Sequence, residues 1–171
     1  MEPTILKEKS FKLLGCVYYG DPFHSAKGWD PKNEIGNTWN RFGYLYGKYK
    51  EFLDRIREGN VFGYEVHIEP GDYTKKKKFH VFVGLEVKSL DFFPLDMFYK
   101  ELPRTKYLFF STKYRGEECE YIFSKWLPDS KYEQSYPYIM QSYSPERWKG
   151  EDNPDSLMDW HIPIKEKEVS K

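Results

Sequence analysis

Gln141 lies in "WLPDSKYEQSYPYIMQSY" (126–143), an aromatic, turn-rich run in which the amide precedes Tyr143 by two residues. An amide offers one acceptor and two donors and carries no charge, so in a pocket it orients a ligand without attracting a cation. Period-two alternation puts Ile139, Gln141 and Tyr143 on one face of a strand, with Met140, Ser142 and Ser144 on the other. In "VFGYEVHIEP" (61–70), Phe62, Tyr64, Val66 and Ile68 share one face and Glu65 and His67 the opposite one. Metal chemistry has little foothold. His24, His67, His80 and His161 form no H-x-x-x-H or H-E-x-x-H pattern, and neither a metal nor a cofactor is expected. Cys16 and Cys119 lack C-x-x-C spacing and are too few for a disulfide framework.

The elements that must position these groups come from a chain of 171 residues, enough for one domain or two small modules sharing a core. Aromatics make up 19% of it against 39% hydrophobic residues in all. Tyrosine and tryptophan pair an apolar body with a polar tip, so they suit half-wet concave surfaces as well as cores. Lysine plus arginine equals aspartate plus glutamate, 27 against 27, so no long-range field favours nucleic acid. "KKKK" (75–78) reads as a solvated hairpin tip. No apolar run reaches membrane-span length and "MEPTILKEKS" lacks a signal-peptide core, so a cytoplasmic protein without membrane contact is expected.

The same order of elements occurs twice. "SFKLLGCVYYG" (10–20) is a strand, followed by a helix capped near Asn37, on which Trp39, Phe42, Tyr46, Tyr49, Leu53 and Ile56 recur at steps of three and four. "VFGYEVHIEP" and "FHVFVGLEV" form a hairpin. "TKYLFFSTKYRG" (105–116) then opens a second round, "EECEYIFSKWL" supplies a helix ended by Pro128, and "YIMQSYS" and "LMDWHIPI" close it. The two strand-helix-strand-strand runs start about 95 residues apart, with low residue identity between them. The expected fold is α+β: duplicated modules forming one curved, mainly antiparallel sheet, two helices on one face and a ligand trough between modules. Strand twist makes the helix-free face the expected trough, and the pattern leaves open which residue set faces it. The boundaries are a tail over 1–9, a domain over 10–165 with module one about 10–88 and module two about 105–165, and a tail over 166–171.

Four stretches carry a resemblance: "NTWNRF" (37–42), "FHVFVGLEV" (79–87), "WLPDSKYE" (126–133) and "WHIPIK" (160–165). In this order the chain resembles the GyrI-like effector-binding domains, small-molecule sensor modules also fused to AraC- and MerR-type regulators. The resemblance implies an aromatic-lined cavity between the modules, holding a buried glutamate in an E-x-Y pattern on the strand after the W-L-P element. Here the matching residues are Gln141 and Tyr143, the spacing from Pro137 is one residue longer, and Lys131 replaces a glycine.

With an amide at that place, the resemblance favours binding over the hydrolysis of cyclopropane-bearing compounds reported for some relatives. That chemistry needs a displaced carboxylate as general base, for which Glu65, Glu86 and Glu120 are candidates, with Asp159 a further acid. The expected ligand-binding residues are Trp39, Phe62, Tyr64, Tyr114, Gln141 and Tyr143. The expected partner is a small hydrophobic, aromatic or cationic ligand, bound by a stand-alone sensor or sequestering module. With no helix-turn-helix before residue 10, direct nucleic-acid binding is not expected, and a transcriptional role requires a partner regulator or a homodimer. A third reading is an interaction domain that uses exposed Trp29, Phe92 and Phe93.

Overall fold

Seven strands carry the fold in the computed structural model: β1 (Thr4–Gly20), β2 (Gly63–Ile68), β3 (Phe79–Glu86), β4 (Phe98–Lys113), β5 (Tyr132–Gln134), β6 (Tyr138–Tyr143) and β7 (Leu157–Glu166). The structure describes residues 2–27, 30, 32–88, 90–113 and 118–168, with Glu118 described by its backbone alone. The helices of module one are α1 (Glu34–Lys48) and α2 (Lys50–Ile56), and a single turn, α3 (Tyr73–Lys76), occupies the lysine tip between β2 and β3. In module two, α4 (Glu118–Tyr121) runs through a wide π-turn (Ile122–Trp126) into α5 (Leu127–Asp129).

The strands form one curved sheet, ordered β4-β1-β3-β2-β6-β7-β5, with every pair antiparallel. The duplicated α+β plan expected from the sequence is the observed one. β2 of module one pairs with β6 of module two, so the modules meet at that seam. β4 pairs with β1 between Phe98 and Phe109 and with β7 from Lys106 to Lys113, which closes the sheet on itself.

Closure decides what each face does. Phe11, Leu13, Tyr64, Val66, Phe82, Leu102, Tyr107, Tyr138 and Met140 pack together on the helix-free side. That face is a filled core, contrary to the expectation that it forms the trough: a sheet wrapped through β4 and β7 brings its concave side chains into mutual contact. The opposite face carries the helices. Val83 and Leu85 pack with Phe42, Leu45 and Leu53 of α1 and α2, and Leu108, Phe110 and Ile162 pack with Ile122 of the second helical segment. Trp39 packs against both of these helix-side clusters and so sits where the modules join.

Several boundaries differ from the sequence expectation. β1 begins at Thr4 and β4 at Phe98, because each is a long strand partnered by the other. The α1 cap is Asn33, one turn before Asn37; its side-chain oxygen accepts from Ile35 N and Gly36 N at 2.9 and 3.1 Å. Such a cap contributes about 1 kcal/mol. Pro128 lies inside a continuous helical segment, directly after the π-turn, and the segment runs only one residue further, to Asp129. Phe92 and Phe93 are exposed, whereas Trp29 lies outside the described residues. Among the described residues no helix is long and apolar enough to cross a membrane.

Candidate functional site

Glu65 is the centre of the junction. It lies on β2 opposite Gln141 of β6 and Val83 of β3, and Val83 belongs to the helix-side core. Its side chain is therefore on the helix-bearing face, and only 3% of the residue is exposed. Burying a carboxylate is costly unless donors surround it. Trp39 Nε1 donates to Oε2 at 2.5 Å, His67 Nε2 meets Oε1 at 2.7 Å, and Tyr143 OH shares its one proton between Glu65 Oε2 at 3.4 Å and Gln141 Oε1 at 3.1 Å. Among the described residues no lysine or arginine pairs with Glu65; its one ion-pair partner is His67, which is charged only when protonated.

The sequence builds this arrangement locally. Gly63 faces Trp39, and a Cβ there would stand 2.8 Å from indole Cη2 and 2.9 Å from Cζ3. The glycine at the start of β2 lets the indole lie close over the strand, which brings Nε1 to the carboxylate two residues along. α1 then fixes the tryptophan from above through Phe42, whose ring meets the indole edge-on at 6.2 Å. Tyr143 stands between Trp39 and Trp148, edge-on to both, with centroids 5.0 and 4.8 Å away. Its hydroxyl lies 3.1 Å from Gln141 Oε1, and the Gln141 Nε2 is buried without a partner. Trp160, opposite Gln141 on β7, donates through Nε1 to Thr112 Oγ1 at 2.9 Å and stacks on Phe110.

Of the residues singled out from the sequence, the structure brings together Trp39, Gln141, Tyr143 and Glu65. It does not bring Phe62, Tyr64, Glu86 or Glu120 to this cluster. Phe62, just before β2, is more than half exposed, and Tyr64 points into the helix-free core. Glu86 is buried beyond Tyr64: it accepts from Tyr64 OH at 3.2 Å and pairs with Lys9 at 2.7 Å. Burial and the adjacent Glu86 charge push the Tyr64 hydroxyl pKa well up. Glu120 is exposed on α4, and Tyr114 lies outside the described residues.

Gly63, His67 and Trp148 are members that sequence reasoning missed. The glycine inside a β-rich run and the histidine two residues after Glu65, on the same strand face, were the available signals. Trp148, in the loop between β6 and β7, gave none. Asp159 is buried on the helix-free face, where Ser111 OH donates to it at 2.6 Å and Arg147 pairs with it at 2.7 Å.

A curved antiparallel sheet built twice, with helices on one side and a buried acid under aromatic rings at the seam, defines an effector-binding fold of the GyrI-like kind. Residues 4–164 match the Cass2 family, described as integron-associated effector binding protein, and the chain belongs to that family. No curated protein matches it in sequence. Among solved structures it is similar to SAV2435 bound to tetraphenylphosphonium, with TM-score 0.61 and 15% identity over 96% of this chain and 94% of the other. It is also similar to an integron cassette protein of Vibrio cholerae, with TM-score 0.53 and 16% identity over 95% of each chain. The EcmrR C-terminal domain gives TM-score 0.56 and 12% identity over 97% of each. At such identities the likeness to these structures is one of fold.

Proposed function

We propose that this chain binds organic cations with aromatic or apolar bodies at the junction of its modules, as a sensor or sequestering module. The observation that carries the reading is Glu65: a buried carboxylate held by an indole N–H, a phenol and an imidazole, with no lysine or arginine against it among the described residues. The indole and the phenol fix such a group in place without cancelling its charge, so, apart from His67, a desolvated cation meets no fixed positive charge on it among the described residues. Trp39, Tyr143 and Trp148 add ring faces and edges that favour flat or arylated cations. The tetraphenylphosphonium held by SAV2435 is a cation of this type and is the natural first probe.

A titration followed by tryptophan fluorescence tests the proposal. Tetraphenylphosphonium is expected to give a saturable change in the wild type that disappears in Trp39→Ala, while circular dichroism shows both proteins folded. A flat titration, together with no thermal shift across a varied set of aryl cations, would sink the reading.

A hydrolase is the second reading, favoured by the same buried acid, which stands displaced from β6 to β2. Each oxygen of Glu65 already accepts a hydrogen bond, so a water to be activated must first displace His67 or a hydroxyl. Turnover of a cyclopropane-bearing substrate that vanishes in Glu65→Gln would establish this reading; turnover unchanged in that variant would exclude Glu65 as its base.

A further inference from the structure

Gln141 is 1% exposed, its oxygen lies 3.1 Å from the Tyr143 hydroxyl, and its Nε2 has no hydrogen-bond partner. A buried amide nitrogen brings two N–H donors, and leaving them unmade is unfavourable. The neighbours on its face are poor acceptors. Trp160 has only a donor, already spent on Thr112, and Trp39 has only a donor, spent on Glu65. Glu65, directly across the β2–β6 pair, has both oxygens engaged. The junction therefore holds one anion and, one cross-strand step away, an unmet donor.

We infer that the site selects cations that also carry a hydrogen-bond acceptor, and that Gln141 reads that acceptor. The inference deepens the proposed cation binding and depends on it. Directly opposed side chains on paired strands have Cβ atoms about 5 Å apart. The ligand class is thus an organic cation with a carbonyl, ether or hydroxyl oxygen within a few bonds of an aromatic ring, its positive centre on Glu65 and its oxygen on Gln141. A bare aryl cation uses only the first half of the site. A carboxylate at position 141 would add attraction and no donor; the amide adds discrimination between cations that have the same charge.

A matched pair of probes tests this: benzyltriphenylphosphonium and its 4-acetylbenzyl counterpart, whose added ketone accepts hydrogen bonds and donates none, titrated by calorimetry into the wild type, Gln141→Met and Glu65→Gln. Methionine keeps the unbranched shape and removes the donors, and unfolding midpoints verify that each variant is folded. The wild type is expected to prefer the acetyl probe by about tenfold, the worth of one buried hydrogen bond. In Gln141→Met the preference falls to near one, whatever the change in affinity common to both probes. Glu65→Gln weakens both probes alike. A wild-type ratio near one, or a preference that persists in Gln141→Met, overturns the inference even when both probes bind through Glu65. If neither probe shows Glu65-dependent binding, the parent reading fails, and the inference with it.

Discussion

Glu65 and Glu86 lie on neighbouring strands, are both almost fully buried, and look alike in the sequence, yet they face opposite sides of one sheet. On the helix-free side Glu86 pairs with Lys9, whose ammonium also lies 4.2 Å from the Phe11 ring centroid, and it takes the Tyr64 hydroxyl. Its charge is matched within the fold. On the helix-bearing side Glu65 is held by neutral donors and a histidine. The contrast separates two uses of a buried acid: one closes a structural pair, the other keeps a charge facing a seam lined with rings. Burial alone does not distinguish them, whereas the identity of the partner does.

Stability should therefore respond to the two acids with opposite sign. Glu86→Gln strands Lys9 over an aromatic core and is expected to cost about 2 kcal/mol, less than a wholly buried pair because Lys9 is half exposed. Glu65→Gln removes a desolvated charge and leaves an oxygen for Trp39, so its urea midpoint should equal or exceed that of the wild type. Equal losses in the two variants would erase the distinction.

Gly63→Ala attacks the positioning of one acid and leaves the other alone. Its Cβ would overlap the tip of Trp39, which must then withdraw from Glu65. A loss of about 1–2 kcal/mol in chemical denaturation is expected, with weaker cation binding and reduced ligand response of tryptophan fluorescence. Gln141→Glu has a smaller effect, and one that depends on pH. Two carboxylates facing each other across β2 and β6 cannot readily both ionise, so a gain in cation affinity should appear as the pH rises and vanish as it falls. A pH-independent affinity in this variant would place position 141 away from Glu65.

The helix-free side offers the smallest effect and a different readout. Burial, with Lys9 and Arg147 nearby, pulls the His161 pKa down to about 3. The unfolded chain then binds one proton more than the folded one below the ordinary histidine range. Stability from this group is present above about pH 6.5 and is lost as the pH falls towards 3. The slope of unfolding free energy against pH should be shallower by about one proton in His161→Gln, with cation binding at neutral pH unaffected.

Much of this fold is written in period and punctuation. The β2–β3 hairpin, the amphipathic stretch from Trp39 to Ile56 and the repeated element order are local patterns, and they survive folding with shifted ends. Asn33 and Asn37 carry the same capping chemistry one turn apart, so the sequence gives no means to choose between them, whereas the chain entering from Pro22 does: its carbonyl accepts from Glu34 N at 3.0 Å. The face on which each residue set falls is a different kind of fact. Alternation separates Glu65 from Tyr64, but only the seating of α1 and the closure through β4 and β7 tell which side is filled. The pattern alone therefore leaves open whether Phe62 and Tyr64 or Glu65 and His67 face the seam. The acid expected on β6 stands instead on β2, directly opposite Gln141, a relation that exists only once the two modules pair.

The central claim is that the charge of Glu65, and not that of Glu86, attracts a ligand. Calorimetric titration of tetraphenylphosphonium into the wild type, Glu65→Gln and Glu86→Gln tests it most directly. At least a tenfold weaker dissociation constant in Glu65→Gln, with Glu86→Gln within about twofold of the wild type, is the predicted result. Equal affinity in the wild type and Glu65→Gln, or a loss confined to Glu86→Gln, would contradict it.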